Sequence, residues 1–404
     1  LTFGLNPTGL VLNRLKSPFL LSALRRSTRW GVLLAGLAAG CVEPFEASLR
    51  YNTDLVTVEG TLTDLAEPQV VRLRRSVSTD RNSVSQPLSG ARVEVVVNGQ
   101  NPLLLSESAT GSGNYVLPTG FRAVPGSTYQ LRFRTAQGTQ YESTMEKMPV
   151  GKPIARVYDA FDPEAIESSS TGSTPYFQPG HHLYLDTQDP PGTGDFYNWT
   201  WTLWENQSVC ATCEQGKYFT GRGCVRDLSL ASDNVFDYLC GQRCWQIFRN
   251  RAINVMTDAY TDGRTITGRP IADIPLYSSS GALVEIRQQA LTAGAFRYLK
   301  LLADQSQNTG SLADTPPAAI FGNVSNVANP NEKAVGYFTA ASVSQMRYWL
   351  SRQNTPRTVR PLGLLGGRDI NPEPPSPPSD RPPFAPCTPT DFRTPNQPDG
   401  WRGP

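Results

Sequence analysis

Apolar side chains recur at every second position across residues 55–146, and this period of two constrains the fold more than any other feature of the chain. Val56, Val58 and Leu62 alternate with Thr57, Glu59 and Thr61, and Val71 and Leu73 alternate with Arg72 and Arg74. Val93, Val95 and Val97 alternate with Glu94 and Val96, ending at the turn pair Asn98-Gly99. Tyr129, Leu131 and Phe133 alternate with Gln130 and Arg132, before Gln137-Gly138 turns into a strand carrying Tyr141. Successive side chains of a strand point to opposite faces, so each run presents one apolar face. Strands at this spacing, separated by Gly and Asn turns, predict an antiparallel β-sandwich over residues 51–150.

A larger β-rich domain is expected over residues 151–360. Its strands are Ile154 to Tyr158, His182 to Asp186 and Phe196 to Trp204, with a Cys-rich insertion over 205–250. Ile286, Ala290, Ala293, Phe296, Leu299, Leu302 and Ala303 fall at three- and four-residue steps, which predicts a helix near 284–304. A second, short helix is expected over Ser342 to Arg352. Beyond Pro361, proline density excludes regular structure, so residues 361–404 read as a tethered arm or a loop packed across the surface. The chain has 404 residues, 18% of them charged, with 34 Pro and 34 Gly, a balance that favours strands and turns over long surface helices. The fold class is therefore mainly β with one or two helices.

The first forty residues read separately. Arg25, Arg26 and Arg29 precede an apolar run from Trp30 to Ala39, and Ala38-Ala39-Gly40 precedes Cys41. A basic stretch, a short apolar stretch and small residues describe a secretory signal over 1–40, and the run is about half of the ~20 apolar residues a transmembrane helix needs. Small residues ending at a cysteine resemble the lipobox of bacterial lipoproteins, although Leu37 stands one place further back than usual. That resemblance implies acylation of Cys41, with residues 41–50 as a lipidated tether, and Val42 after the cysteine resembles the pattern of lipoproteins sent to the outer membrane, its periplasmic or cell-surface face undecided. Residues 41–404 hold 32 bases and 35 acids, a balance with no electrostatic reason to bind nucleic acid. Beside Cys41 stand six cysteines, Cys210, Cys213, Cys224, Cys240, Cys244 and Cys387. An even number in an exported chain favours disulfides, and six cysteines allow 15 pairings.

Several segments together resemble one family of Bacteroidota outer-membrane lipoproteins, known mainly as a domain of unknown function. They are "LVTVEGTLTD", "VRLRRS", "PLSGARVEVVVNG", "GSTYQLRFRTAQGTQYES", "FYNWTWTLWEN", the pair Cys244-Trp245 and "IFGNVSNVANPNEKAVGYFTAASVSQMRYWL". The first part resembles carboxypeptidase-regulatory-like sandwiches, which implies an Ig-like or transthyretin-like topology. Genes of this family often sit beside those for TonB-dependent receptors, so the resemblance implies a cell-envelope accessory of such a transporter and implies no reaction. Members often carry a second cysteine near the position of Cys387, which this chain lacks, so the resemblance assigns Cys387 no partner.

No catalytic constellation emerges from the residues. Cys210-x₂-Cys213 with Cys240-x₃-Cys244 has spacing a tetrahedral zinc accepts, but Cys224 between the pairs and an oxidising compartment favour disulfides. His181 and His182 are the only histidines, and as strand neighbours they point apart. No Gly-x-Ser-x-Gly elbow accompanies them. Asp186, Asp189 and Asp195 surround a Pro-Gly loop and could offer calcium hard oxygen ligands, or could simply make turns. Tyr197, Trp199, Trp201 and Leu203 share one face and read as core. Trp204, on the other face, is the candidate for exposed contact with a glycan or peptide. The expectation is a non-enzymatic protein without cofactor or metal. It is a membrane-anchored partner of a TonB-dependent transporter or, alternatively, a stand-alone glycan- or peptide-binding lipoprotein.

Overall fold

The computed structural model describes residues 55–78, 83–168, 176–192, 194–207, 209–213, 217–219, 224–226, 228, 236–239, 243–306, 320–364, 387 and 389–403. Cys41 and Cys240 lie outside them, as does the side chain of Cys210. The alternating runs form strands: β1 (Val56–Thr63), β2 (Val70–Ser78), β3 (Ser83–Pro87), β4 (Arg92–Val97), β5 (Gln100–Glu107), β6 (Asn114–Val116), β7 (Thr128–Arg134), β8 (Gln140–Ser143) and β9 (Glu146–Lys147). Asn98 and Gly99 both take positive φ, 52° and 71°, between β4 and β5. That backbone suits a tight hairpin because its twist matches the flanking strands. The middle of the chain forms β10 (Ile154–Ser168), β11 (Tyr176–Gln188), β12 (Phe196–Asn206), β13 (Val209–Cys213), β14 (Lys217–Phe219), β15 (Cys224–Arg226), β16 (Phe236–Leu239), β17 (Trp245–Arg249), β18 (Asn254–Thr257), β19 (Thr265–Pro275) and β20 (Ala282–Leu291). Helix α1 (Ala293–Ser306), β21 (Phe321–Asn326), β22 (Lys333–Leu350) and β23 (Arg393–Thr394) complete the set.

Hydrogen bonding joins the first part into a closed, barrel-like ring in the order β1-β2-β6-β5-β4-β7-β8-β21-β22, and β22 pairs back to β1 in parallel. The ring therefore draws two strands from residues 321–350, far along the chain from the strands it closes. Its core joins Val58, Leu62, Leu73, Val95, Leu131 and Phe133 to Val324, Phe338 and Ala340. Closure depends on Gly336, whose φ is +94° and whose missing Cβ would lie 2.0 Å from the Val58 carbonyl oxygen. Only glycine combines that backbone with so close an approach.

Strand β22 then leaves the ring. Thr57 to Thr63 pair with Val335 to Ala341, whereas Ser342 to Leu350 pair with β20. At the crossing, Asp64 accepts hydrogen bonds from the Ser342 hydroxyl at 2.6 Å and the Val343 amide at 2.9 Å. From β22 a second layer runs through β20, β12 and β17 to β23. The three-stranded sheet β10-β11-β19 belongs to the same core, which gathers Leu183, Leu185, Ile271 and Ile274 with Tyr197, Trp199, Leu203, Val284 and Ile286.

Two helix expectations are corrected. Helix α1 covers only residues 293–306, residues 282–291 are strand β20, and residues 342–350 are the second half of β22. Both faces of β20 are buried, so its apolar residues show no period of two and imitate a helical stripe. Val343, Met346 and Leu350 fall at helical steps within β22 in the same way. What begins α1 is Thr292, whose hydroxyl accepts the Ala295 amide at 3.1 Å as an N-cap. Among the described residues, no helix is long and apolar enough to cross a membrane.

Cys213 bonds Cys224 and Cys244 bonds Cys387, so Cys213 and Cys244 are not free for a four-thiolate zinc site. The second bridge ties down the tail, whose residues 389–403 pack against the body. Trp401 meets Trp245 and Trp349 edge-to-face, and Arg347 reaches Asp399 at 3.4 Å. Behind β22, Arg352 and Glu205 form an ion pair with both side chains fully buried. Arg352, at φ 59°, also donates to the carbonyls of Ser278 and Ser280 at 3.1 and 2.9 Å. Burial pushes the Glu205 carboxyl up, and the Arg352 charge opposes it.

Gly336→Ala should lower unfolding free energy by at least about 2 kcal/mol, because the Cβ strains φ and strikes the Val58 carbonyl. Urea denaturation read by circular dichroism measures it. Arg352→Ala should cost about 3–5 kcal/mol in the same experiment, since it strands the Glu205 charge in the interior.

Candidate functional site

A groove of 930 Å³ lies between α1 and the segment Thr144–Val150, with β21 and Tyr337 along its floor. Glu146, only 5% exposed, sits at its base. Four elements converge on this carboxylate. Thr144 donates from the end of β8 at 3.1 Å, Asn323 from β21 at 3.2 Å, and Tyr337 and Thr339 from β22 at 3.1 and 3.2 Å. The N-cap Thr292 donates as well, so the residue that starts α1 also fixes the floor. All five donors are neutral, and no Lys or Arg bonds Glu146 among the described residues. Burial first, and then the Glu146 charge, hold the Tyr337 hydroxyl far above the usual tyrosine range, so it remains a donor. Around the mouth stand Met145, Val150, Leu301 and Phe321, exposed by 65%, 64%, 54% and 47%. Isolated exposed apolar residues are ordinary; here four of them rim one concavity. The sequence carried no sign of Glu146, because its five partners are spread over residues 144–339.

Asp189 and Asp195 do converge, but with Asp258 in place of Asp186, their carboxyl oxygens within 4.8 Å of one another. Asp186 instead accepts the Gly268 amide at 2.8 Å. Asp189 accepts from the Tyr197 hydroxyl, from Thr261 at 3.2 Å and from the Gly263 amide at 3.3 Å, while Asp258 accepts the Gly194 amide at 2.9 Å. These bonds clamp the loop 189–195 to the loop 258–263. Burial, and then the charges of Asp189 and Asp258, raise the Asp195 carboxyl above its ordinary value.

His181 and His182 point apart, as neighbours on β11 must. His181 is buried, with Nδ1 2.9 Å from Asp159 and Nε2 3.1 Å from the Thr355 hydroxyl. The order acid, imidazole, hydroxyl resembles a catalytic triad in connectivity. Asp159 is also held by Tyr348 and Asn354, however, and none of these residues lines the groove. His182 lies between Asp273 at 2.6 Å and Asp162 at 3.3 Å. The hydrogen bond to Asp273 is the main cause of its raised pKa. Both histidines thus bridge strands within the three-stranded layer.

The aromatic face of β12 is core: Tyr197, Trp199 and Leu203 are buried and Trp201 packs against them. Trp204 is half-buried rather than freely exposed. It packs with Trp245, Leu283, Trp349 and Trp401, so the C-terminal tail occupies the face expected to be open.

Burial alone would raise the Asp159 carboxyl, but hydrogen bonds from His181, Tyr348 and Asn354 outweigh it and lower its pKa. A folded pKa below the unfolded value of ~3.9 contributes stability above that value and loses it as pH falls through the folded pKa. Asp159→Asn should therefore be destabilised relative to wild type at pH 7. The difference should shrink on acidification below about pH 4, as read by urea midpoints at both pH values.

Among curated proteins, none matches the chain. A family model described as "Domain of unknown function (DUF4249)" matches residues 42–347, which span the ring, most of the layered second part and the Glu146 groove, and the chain belongs to that family.

Proposed function

We propose that this protein is a non-catalytic cell-envelope lipoprotein, held at the outer membrane through acylated Cys41, that acts as an accessory partner of a TonB-dependent transporter in nutrient uptake. The observation that carries this reading is the groove above Glu146, with its rim of Met145, Val150, Leu301 and Phe321. An apolar rim around a polar, hydrogen-bonded floor suits a surface that docks on another protein. The choice of a transporter comes from the resemblance to lipoproteins encoded beside TonB-dependent receptors. The basic, apolar and small-residue stretches before Cys41 support the anchor. Two acyl signals are needed for stable attachment, at ~0.8 kcal/mol per buried CH₂. The absence of a reaction is inferred from the placement of acid–base groups: His181 and Asp159 serve strand-to-strand bonding and do not face the groove. Stand-alone binding through Trp204 is the weaker reading, because tail and sheet tryptophans take up that side chain.

The test is co-purification of the lipidated chain from native membranes in mild detergent, read by mass spectrometry. A stoichiometric β-barrel receptor is expected with wild type, and Leu301→Glu should reduce its recovery at least about tenfold, since a charge in an apolar contact costs more than 1.4 kcal/mol. Cys41→Ala should move the chain from the membrane to the soluble fraction. Repeated recovery of no β-barrel, or equal recovery with Leu301→Glu, would exclude the proposed docking.

A further inference from the structure

A second concavity lies apart from the groove, on the layered part of the fold. Strand β17 lies beyond β12 in the main layer, and β19 is an edge strand of the three-stranded layer. Between β17 and the end of β19 runs a cleft of 630 Å³, closed on one side by Phe392 from the tail. Aromatic side chains line its walls. Phe248 and Tyr277 stack with centroids 4.8 Å apart and planes at 6°. Trp201 is half-buried beside them, and Phe392 is 63% exposed at the mouth.

The polar groups of the cleft offer more unspent donors than unspent acceptors, the second oxygen of Asp273 being the acceptor left over. The Asn250 side-chain carbonyl already accepts the Trp201 amide at 3.0 Å. The one carboxylate, Asp273, is held by His182 at 2.6 Å. Gln246 accepts from Gln207 through its carbonyl at 3.4 Å, and its amide N–H groups have no partner among the described residues. Arg249 gives one N–H to the Asp391 carbonyl at 2.6 Å and keeps the rest of its fork. Arg251, exposed at the rim, bonds nothing among the described residues. A ligand for this cleft must accept hydrogen bonds, carry negative charge and present flat, weakly polar faces to aromatic rings.

We infer that the cleft walled by Trp201, Phe248, Tyr277 and Phe392 binds an acidic oligosaccharide, a sugar chain bearing carboxylates of the uronic-acid type. Sugar rings lay their C–H faces on the aromatic walls, their hydroxyls accept from Gln246, and a ring carboxylate takes the fork of Arg249 or Arg251. A neutral sugar would leave both arginines unanswered, and an acidic peptide would offer the charge without rigid ring faces. The inference does not depend on docking at the Glu146 groove, and the two sites share no lining residue.

The experiment is isothermal titration of the full chain in detergent with trigalacturonate, beside neutral cellotriose and hexaglutamate, at low and high salt. Wild type should bind trigalacturonate in preference to both others, and more weakly as salt rises. Phe392→Ala, on an exposed tail residue, and Arg251→Gln should each weaken binding by about three- to tenfold. Trp201→Ala should weaken it at least as much, and circular dichroism reports whether that half-buried position still folds. No binding of trigalacturonate to folded wild type at millimolar concentration overturns the inference. Equal binding of cellotriose overturns the role of the arginines, and Phe392→Ala with Arg251→Gln binding as wild type does places any saccharide elsewhere. Hexaglutamate bound as tightly and lost in the same variants makes the cleft a peptide site and overturns the saccharide assignment.

Discussion

The parallel pairing of β1 with β22 is the contact on which the rest of the structure depends. It joins residues 57–63 to residues 335–341, closes the ring, and launches the strand that begins the second layer. A parallel pair between segments so far apart in sequence carries a large loop-closure cost, so a local contact must secure it. Gly336 allows the close approach, and Asp64 fastens the crossing by accepting from Ser342 and Val343 where β22 departs from the ring. Middle residues of β22 from Phe338 to Val343 are buried, which is why so much packing passes through one strand. Segment 51–150 therefore has its core completed by Val324, Ala334, Phe338 and Ala340.

The mainly β class was legible because residues 55–146 carry a one-sided pattern, apolar inward and polar outward. Buried Val58, Leu73, Val95, Leu131 and Phe133 are residues picked out by the period of two. The pattern fails where strands are buried on both faces. Ala282 to Leu291 holds eight buried and two half-buried positions, so Ile286 and Ala290 extend backward the true stripe of α1. In β22 the strand changes partners halfway, and the face that is inward in the ring is not constrained to stay inward in the layer. Neither feature leaves a signature within a short window of sequence.

Site residues were legible in proportion to how local their partners are. Asp189 and Asp195 flank one loop and could be grouped by eye, yet their third member, Asp258, lies across a loop contact that no spacing announces. Trp204 faces away from the β12 core as alternation requires, but its neighbours Trp349 and Trp401 come from β22 and the tail. The Cys244–Cys387 bridge spans 143 residues and brings that tail into place. Composition predicts an irregular tail, yet among its described residues Arg393 and Thr394 form strand β23, paired with Gln246 and Trp245 of β17. A proline-rich segment can still pack when a short ladder to β17, tryptophan contacts and a covalent tie hold it.

Two buried carboxylates show how differently the fold handles the same group. Glu205 is held by a cation: Arg352 meets both of its oxygens and also donates to carbonyls of the turn after β19, while its buried Nε finds no partner among the described residues. Such a pair is self-contained, and its energetic role is to avoid the cost of leaving either charge alone. Glu146 bonds no cation among the described residues and is held by hydroxyls and one amide from β8, β21, β22 and the cap of α1. Neutral donors satisfy a carboxylate only when all are correctly placed, so this arrangement depends on the mutual position of four elements. The groove rim is carried by those same elements: Met145 beside β8, Leu301 on α1 and Phe321 at the start of β21. A single carboxylate thus registers the pieces that form the rim, and the apolar surface above it is held as one shape rather than as separate loops.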